Sequence, residues 1–203
     1  MNVQKIDKNN SHYPKTLSLY LTDTAPKLIT AIGNIGILKN KTLAVFSSVK
    51  CPGKIILKTY DLMRDLREKG VTVISGFHSP MEQECLNILL KGKQPVIVCP
   101  ARSVEGMRIK AEYKKPLEDG RLLLLSSFND KQNRISSERA LERNRFVAAL
   151  ADKIFIPYAA PNSRTEQFCY EVINWNKPVY TINADANKNL LALGIQPLIN
   201  GEI

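Results

Sequence analysis

From Leu43 onward, short apolar runs alternate with amphipathic segments. The runs are LAVFSS (43–48), VTVIS (71–75), PVIVCP (95–100), RLLLLSS (121–127), KIFIPY (153–158) and PVYTIN (178–183). Near-continuous apolar runs of this length, rich in Val, Ile and Leu, fit strands covered on both faces, as in a parallel sheet. Between them the period is helical. In KIILKTYDLMRDLREKG, Ile55, Ile56, Leu62, Met63 and Leu66 form one stripe, and Gly70 is placed to stop the helix. In SPMEQECLNILLKG, Ser79 can cap, Pro80 takes the first helical position and Gly92 closes. SSERALERNRFVAALA presents Leu141, Phe146, Val147 and Leu150 on one face after Ser136, and TEQFCYEVINW and ADANKNLLALG complete the set. Strands alternating with helices predict a doubly wound α/β domain of Rossmann-like type, its mainly parallel sheet carrying helices on both faces.

Residues 1–40 read differently. Pro14, Pro26 and Gly33 punctuate short helical or extended pieces, and the segment is expected to be a lead-in packed on a domain formed by residues 41–203.

A length of 203 residues suits one domain, and 44% hydrophobic and 24% charged residues are ordinary globular values. No apolar run approaches the roughly 18 residues needed to span a bilayer. MNVQKIDKNNSHYPK has no apolar signal-peptide core, so a cytoplasmic protein without a membrane partner is expected. The net charge of +10 favours anionic partners, nucleic acid among them. The basic residues are dispersed, so charge alone does not choose the partner. Cys51, Cys85, Cys99 and Cys169 lack C-x-x-C spacing, and His12 and His78 are near no cysteine pair. Neither a disulfide framework nor a metal site is expected, and no cofactor is.

In open α/β sheets, ligands bind beyond the carboxyl ends of the strands, where helix N-termini favour anions. That rule selects Ser47, Ser48 and Lys50 after the first run and Ser75 and Gly76 after the second. It also selects Arg143, Asn144 and Arg145 on the helix after the fourth, and Asn162, Ser163, Arg164 and Thr165 after the fifth. Each has a plain alternative. The serines can end strands, Ser75-Gly76 can be a turn, and Asn162, Ser163 and Thr165 are ordinary N-cap types. Arg164 adds nothing to capping. Arg143 and Arg145 lie two apart, so they diverge on a helix unless it begins there or meets a curved anion, and a solvated face would suffice to explain them. There is no G-x-S-x-G, H-E-x-x-H, Walker A or G-x-G-x-x-G pattern. His78 has no recognisable nucleophile beside it, and Cys51 reads as a half-buried turn cysteine. An enzyme is therefore disfavoured.

These stretches, in this order, resemble the DNA-processing protein A family (DprA, also called Smf), within a wider Rossmann-like group that includes the Lonely Guy phosphoribohydrolases. YPKTL followed by APKLITAIGNIGIL is similar to the family's Y-P-x-x-L segment and its approach to the first strand. VTVISGFHSPMEQECLNILLKGKQPVIVCP resembles its second strand, S-G turn, helix and third strand. ERNRFVAALADKIFIP matches its R-N-R motif, and NSRTEQFCYEVINWNKPVYTIN its S-G-S-x-x-T-A helix start and last strand. The resemblance runs from about Tyr13 to Leu198. It implies a pocket for single-stranded DNA, recombinase as a partner, homodimerisation and a place in natural transformation. It also implies phosphate contacts from Arg143 and Arg145, with Asn144 ordering the turn and Lys177 as the basic residue before the last strand. The family's G-S-R is here Ser47-Ser48-Val49, its G-I-D is Pro80-Met81-Glu82, and its S-G-S lacks glycine at Asn162-Ser163-Arg164. Those losses weigh against enzymatic use of the cradle. The alternative is a nucleotide-ligand sensor or a phosphoribohydrolase-type enzyme of the same superfamily. For stacking on bases, Phe77, Phe146 and Tyr158 are the aromatic candidates, with core packing as the plain reading of each.

Overall fold

The computed structural model of the protein describes residues 2–129 and 136–198. The first forty residues supply β1 (Gln4–Asp7), α1 (Lys15–Leu21) and β2 (Leu28–Gly33). The predicted apolar runs then form β3 (Thr42–Val45), β4 (Thr72–Ser75), β5 (Val96–Val98), β6 (Leu122–Ser126), β7 (Lys153–Phe155) and β8 (Val179–Thr181). Between them lie α2 (Gly53–Glu68), α3 (Pro80–Leu90), α4 (Ala111–Glu118), α5 (Ser137–Leu150) and α6 (Arg164–Ile173), and α7 (Lys188–Ala192) and a short β9 (Gln196–Pro197) follow.

All described strands join one sheet in the order β1-β2-β6-β5-β4-β3-β7-β8-β9. Pairing is parallel from β6 to β9, with Ala44 opposite both Ile74 and Ile154. The lead-in extends the sheet at its other edge, where β2 pairs antiparallel with β6 and β1 with β2.

Apolar residues of α2, α3 and α4 pack in one cluster, and those of α1, α5, α6 and α7 in the other. Helices thus cover both faces, as predicted. On the second face Phe146 and Phe168 are at most 2% exposed. Burial of each side chain contributes on the order of 2–3 kcal/mol. Adjacent strands β3 and β7 lead into helices on opposite faces. Their carboxyl ends therefore form the switch point at which such sheets bind ligands.

Helix starts are locally encoded. Ser79 accepts from the Glu82 amide (3.2 Å) while the Glu82 carboxylate accepts from the Ser79 amide (3.1 Å), a reciprocal cap that opens α3. Ser163 caps α6 by accepting from the Glu166 amide at 3.2 Å. Gly70 and Gly120 follow α2 and α4 in the left-handed conformation, with φ of +74° and +71°.

Candidate nucleic-acid interface

At the switch point the two loops bond directly to each other. The Ser48 amide donates to the Tyr158 carbonyl at 3.0 Å, the Ala160 amide donates to Ser48 Oγ at 3.0 Å, and Ser48 Oγ lies 3.3 Å from Ser163 Oγ. Amides that could meet a phosphate are occupied by the chain's own carboxylates. Glu82 accepts from the amides of Ser47 (3.0 Å), His78 (2.8 Å) and Ser79 (3.1 Å). Glu166 accepts from the Asn162 amide at 2.6 Å and from the Asn189 side-chain amide. Both carboxylates are buried, and each sits where a helix N-terminus stabilises negative charge. Ser47, Ser48, Asn162 and Ser163 therefore hold the rim together.

The two arginines of the R-N-R stretch part company. Because α5 begins at Ser137, both lie inside the helix, pointing about 200° apart. Arg143 is 6% exposed. Its Nη1 donates to the Cys99 carbonyl (3.2 Å) and its Nε to Asn144 Oδ1 (2.9 Å). The guanidinium lies close against Gly76: a Cβ there would fall 1.0 Å from Nη1 and 1.9 Å from Cζ. Burial lowers the Arg143 pKa and the nearby Glu82 charge opposes that shift. An arginine still keeps its proton, so this is a buried cation supported by a carbonyl, an amide oxygen and a nearby carboxylate. Its guanidinium is bonded to the protein's own groups, whereas the resemblance implies a phosphate contact there.

Arg145 grips Glu171 of α6 with two bonds of 2.7 Å from Nε and Nη2, and the carboxylate raises the arginine's pKa. Lys177 is elsewhere. It precedes β8 and so lies at the amino end of that strand, away from the predicted rim. Its Nζ donates to the carbonyls of Ala148 (2.7 Å), Ala149 (2.9 Å) and Ala151 (2.6 Å) at the end of α5, and sits 3.9 Å from the Tyr20 ring centroid. It is a helix stop, whereas the resemblance implies a phosphate contact from Lys177.

Three expected residues do meet. A cleft of about 720 Å³ between α5 and α6 is lined by Val49, His78, Asn144, Arg164, Thr165 and Phe168, with Glu138 and Glu171 at its acidic side. Lys50 follows Val49. Lys50 and Arg164 are exposed, and among the described residues neither forms an ion pair. Ser75 stands behind the loops, donating to the Val45 carbonyl at 2.7 Å and accepting from the Phe77 amide at 3.3 Å. Phe77 and Phe146 belong to the core and Tyr158 is half-buried, so the exposed ring in the cleft is that of His78. Burial pushes the half-buried Cys51 thiol up to about 11, which leaves almost no thiolate near neutral pH. Among the described residues no cluster of three or more His, Cys, Asp or Glu could hold a metal ion, and no helix is long and apolar enough to cross a membrane.

The buried carboxylates went unassigned at the level of sequence. Their signal was present as Ser-x-x-Glu at both Ser79–Glu82 and Ser163–Glu166, the spacing of a reciprocal helix cap.

Sheet order and rim define a Rossmann-like α/β protein with a cleft at the carboxyl edge of its strands. Residues 4–201 match the family profile of DNA recombination-mediator protein A, and the chain belongs to that family, which supports a role in DNA processing. Similar solved structures agree in fold. DNA processing protein A from Streptococcus pneumoniae superposes with a TM-score of 0.81 at 18% identity, over 99% of this chain and 72% of that one. The Helicobacter pylori protein, described for its unique single-stranded DNA binding mode, gives 0.76 at 21% identity over 97% of this chain and 90% of its own. The molybdenum cofactor carrier protein of Chlamydomonas reinhardtii gives 0.53 at 12% identity, over 79% and 90%. No curated protein matches the chain.

Proposed function

We propose that this chain binds single-stranded DNA, without catalysis, along the carboxyl rim of its sheet. The observation that carries the reading is a pair of exposed cations without ion pairs, Arg164 in the cleft lining and Lys50 next to the lining residue Val49, in a member of this family. Lys50 and Arg164 take backbone phosphates, Asn144 and Thr165 offer hydrogen bonds, and the His78 ring offers a face to a base. Arg143 acts behind the surface. By bonding the loop after β5 and packing on the loop after β4, it positions the cleft without touching the strand. A place in DNA uptake by natural transformation, transfer of the strand to a recombinase and homodimerisation belong to the same reading, carried over from the family.

The nucleotide-sensor or phosphoribohydrolase reading has less support. Glu82 and Glu166 already occupy amides that would cradle a single phosphate. Fluorescence anisotropy with labelled oligo-dT tests the proposal. Joint replacement Lys50→Ala and Arg164→Ala weakens binding by about tenfold or more at low salt, the equivalent of roughly 1.4 kcal/mol or more. Unchanged affinity in a folded double variant overturns the site.

A further inference from the structure

We infer that Arg108, Lys110 and Lys114 form a second phosphate subsite, which extends the DNA track along the same rim. The inference rests on the single-stranded DNA reading above. These three side chains, with Ile109 and Ala111, line a cavity of about 350 Å³. They lie on the connection that leaves the carboxyl end of β5 and on the first turn of α4, so the rim that carries the cleft also carries them. All three are exposed.

What marks this surface is three basic side chains lining one cavity that no acidic side chain lines. Among the described residues Arg108 and Lys114 form no ion pair. Lys110 reaches Glu112 only at 3.6 Å, with side chains 61% and 50% exposed, and a pair so hydrated is weak. Its Nζ lies 5.4 Å from the centroid of the buried Tyr113 ring, which holds the ammonium over an aromatic face. The neighbouring Lys115, in a comparably hydrated pair with Asp119 at 3.5 Å, does not line the cavity. Three cations around one cavity repel one another, and a bound polyanion relieves that repulsion while releasing its own counterions.

Geometry favours a single strand as the occupant. The cleft lies between α5 and α6 on one helix layer, whereas α4 belongs to the other. From β7 to β5 the rim spans three strand spacings, on the order of 15 Å. A strand joining the two sites must cross the loops that bear His78 and Arg102. A flexible chain can turn over that rim, whereas a duplex with a persistence length of about 150 base pairs resists such a bend.

The test compares oligo-dT of about three and about twenty nucleotides, shorter and longer than a track crossing roughly 15 Å of rim. In the triple variant R108A/K110A/K114A the longer oligonucleotide binds about tenfold more weakly, and its salt slope falls by about two, the loss of three single-strand phosphate contacts. The shorter one keeps its affinity, and Lys115→Ala leaves both unchanged. Wild-type affinity and slope in the triple variant, with K50A/R164A still defective, overturn the subsite and leave the cleft standing. Equal loss at both lengths also overturns it as a separate extension. A wild-type protein that binds neither length removes the subsite together with the reading it rests on.

Discussion

The guanidinium of Arg143 occupies the space that a side chain at position 76 would fill, so Gly76 and Arg143 are a matched pair. The ideal Cβ position at residue 76 lies 1.0 Å from Arg143 Nη1. Gly76 is absent from the positions with positive φ, so its role here is close approach and not a left-handed turn. Through this contact and the bond to the Cys99 carbonyl, α5 is fastened to the loops after β4 and β5.

The pair predicts strong non-additivity. Gly76→Ala alone displaces a buried guanidinium and costs about 1–3 kcal/mol, as overpacking does. Arg143→Ala costs about 2–4 kcal/mol, because it empties a buried site and leaves Glu82 without its nearby cation. In the Arg143→Ala background, Gly76→Ala has space and costs little. A double-mutant cycle by urea denaturation measures the coupling, and simple addition of the two losses contradicts the packing.

Arg145 is held by Glu171. Arg145→Ala is expected to lower stability by about 0.5–1 kcal/mol, the range for a half-exposed ion pair, and to change oligo-dT affinity by less than about twofold. Titration of the variant checks this, and a loss comparable with that of K50A/R164A would return Arg145 to the binding surface.

The strand frame was plain in the apolar runs, and the caps of α2 and α3 in Gly70, Ser79 and Pro80. Other elements left weaker traces. Strand β1 buries only Ile6, β9 is two exposed residues, and α4 carries Pro116 in its interior. Strand β2 is as apolar as the others but sits among the turn signals of the lead-in, and its antiparallel partner is that faint β1. At the site, topology identified the rim, yet side-chain direction depended on where α5 starts. With Ser136 as N-cap, Arg143 turns inward and Arg145 turns to α6. Lys177 shows the reverse case. Strand direction places it at the amino edge, whereas the family pattern alone had implied a phosphate contact.

Lys177 also predicts a pH dependence. Burial lowers its pKa to about 8, below the ordinary ammonium value. Between about pH 8 and the ordinary range, the unfolded chain keeps a proton that the native side chain has lost, so unfolding binds a proton and stability rises with pH. The stability difference between wild type and Lys177→Met should therefore widen from pH 7 to pH 10, other titrations cancelling. Denaturation at several pH values reads it, and a narrowing gap contradicts the assignment.

Occupied amides predict indifference to mononucleotides. A nucleoside monophosphate in large excess should neither displace bound oligo-dT nor lose its base on incubation with the protein. Chromatography of the mixture and a competition titration check both. Base release that Glu166→Gln abolishes would make the rim an active site.

The central claim is that the carboxyl rim binds the backbone of a single strand through several phosphates at once. Its most direct test is the affinity for oligo-dT across a series of salt concentrations, with a duplex of equal length alongside. The account predicts preference for the single strand and a log–log slope of about −2 or steeper, as three or more phosphate contacts require. A slope near zero, or equal affinity for the duplex, would contradict it.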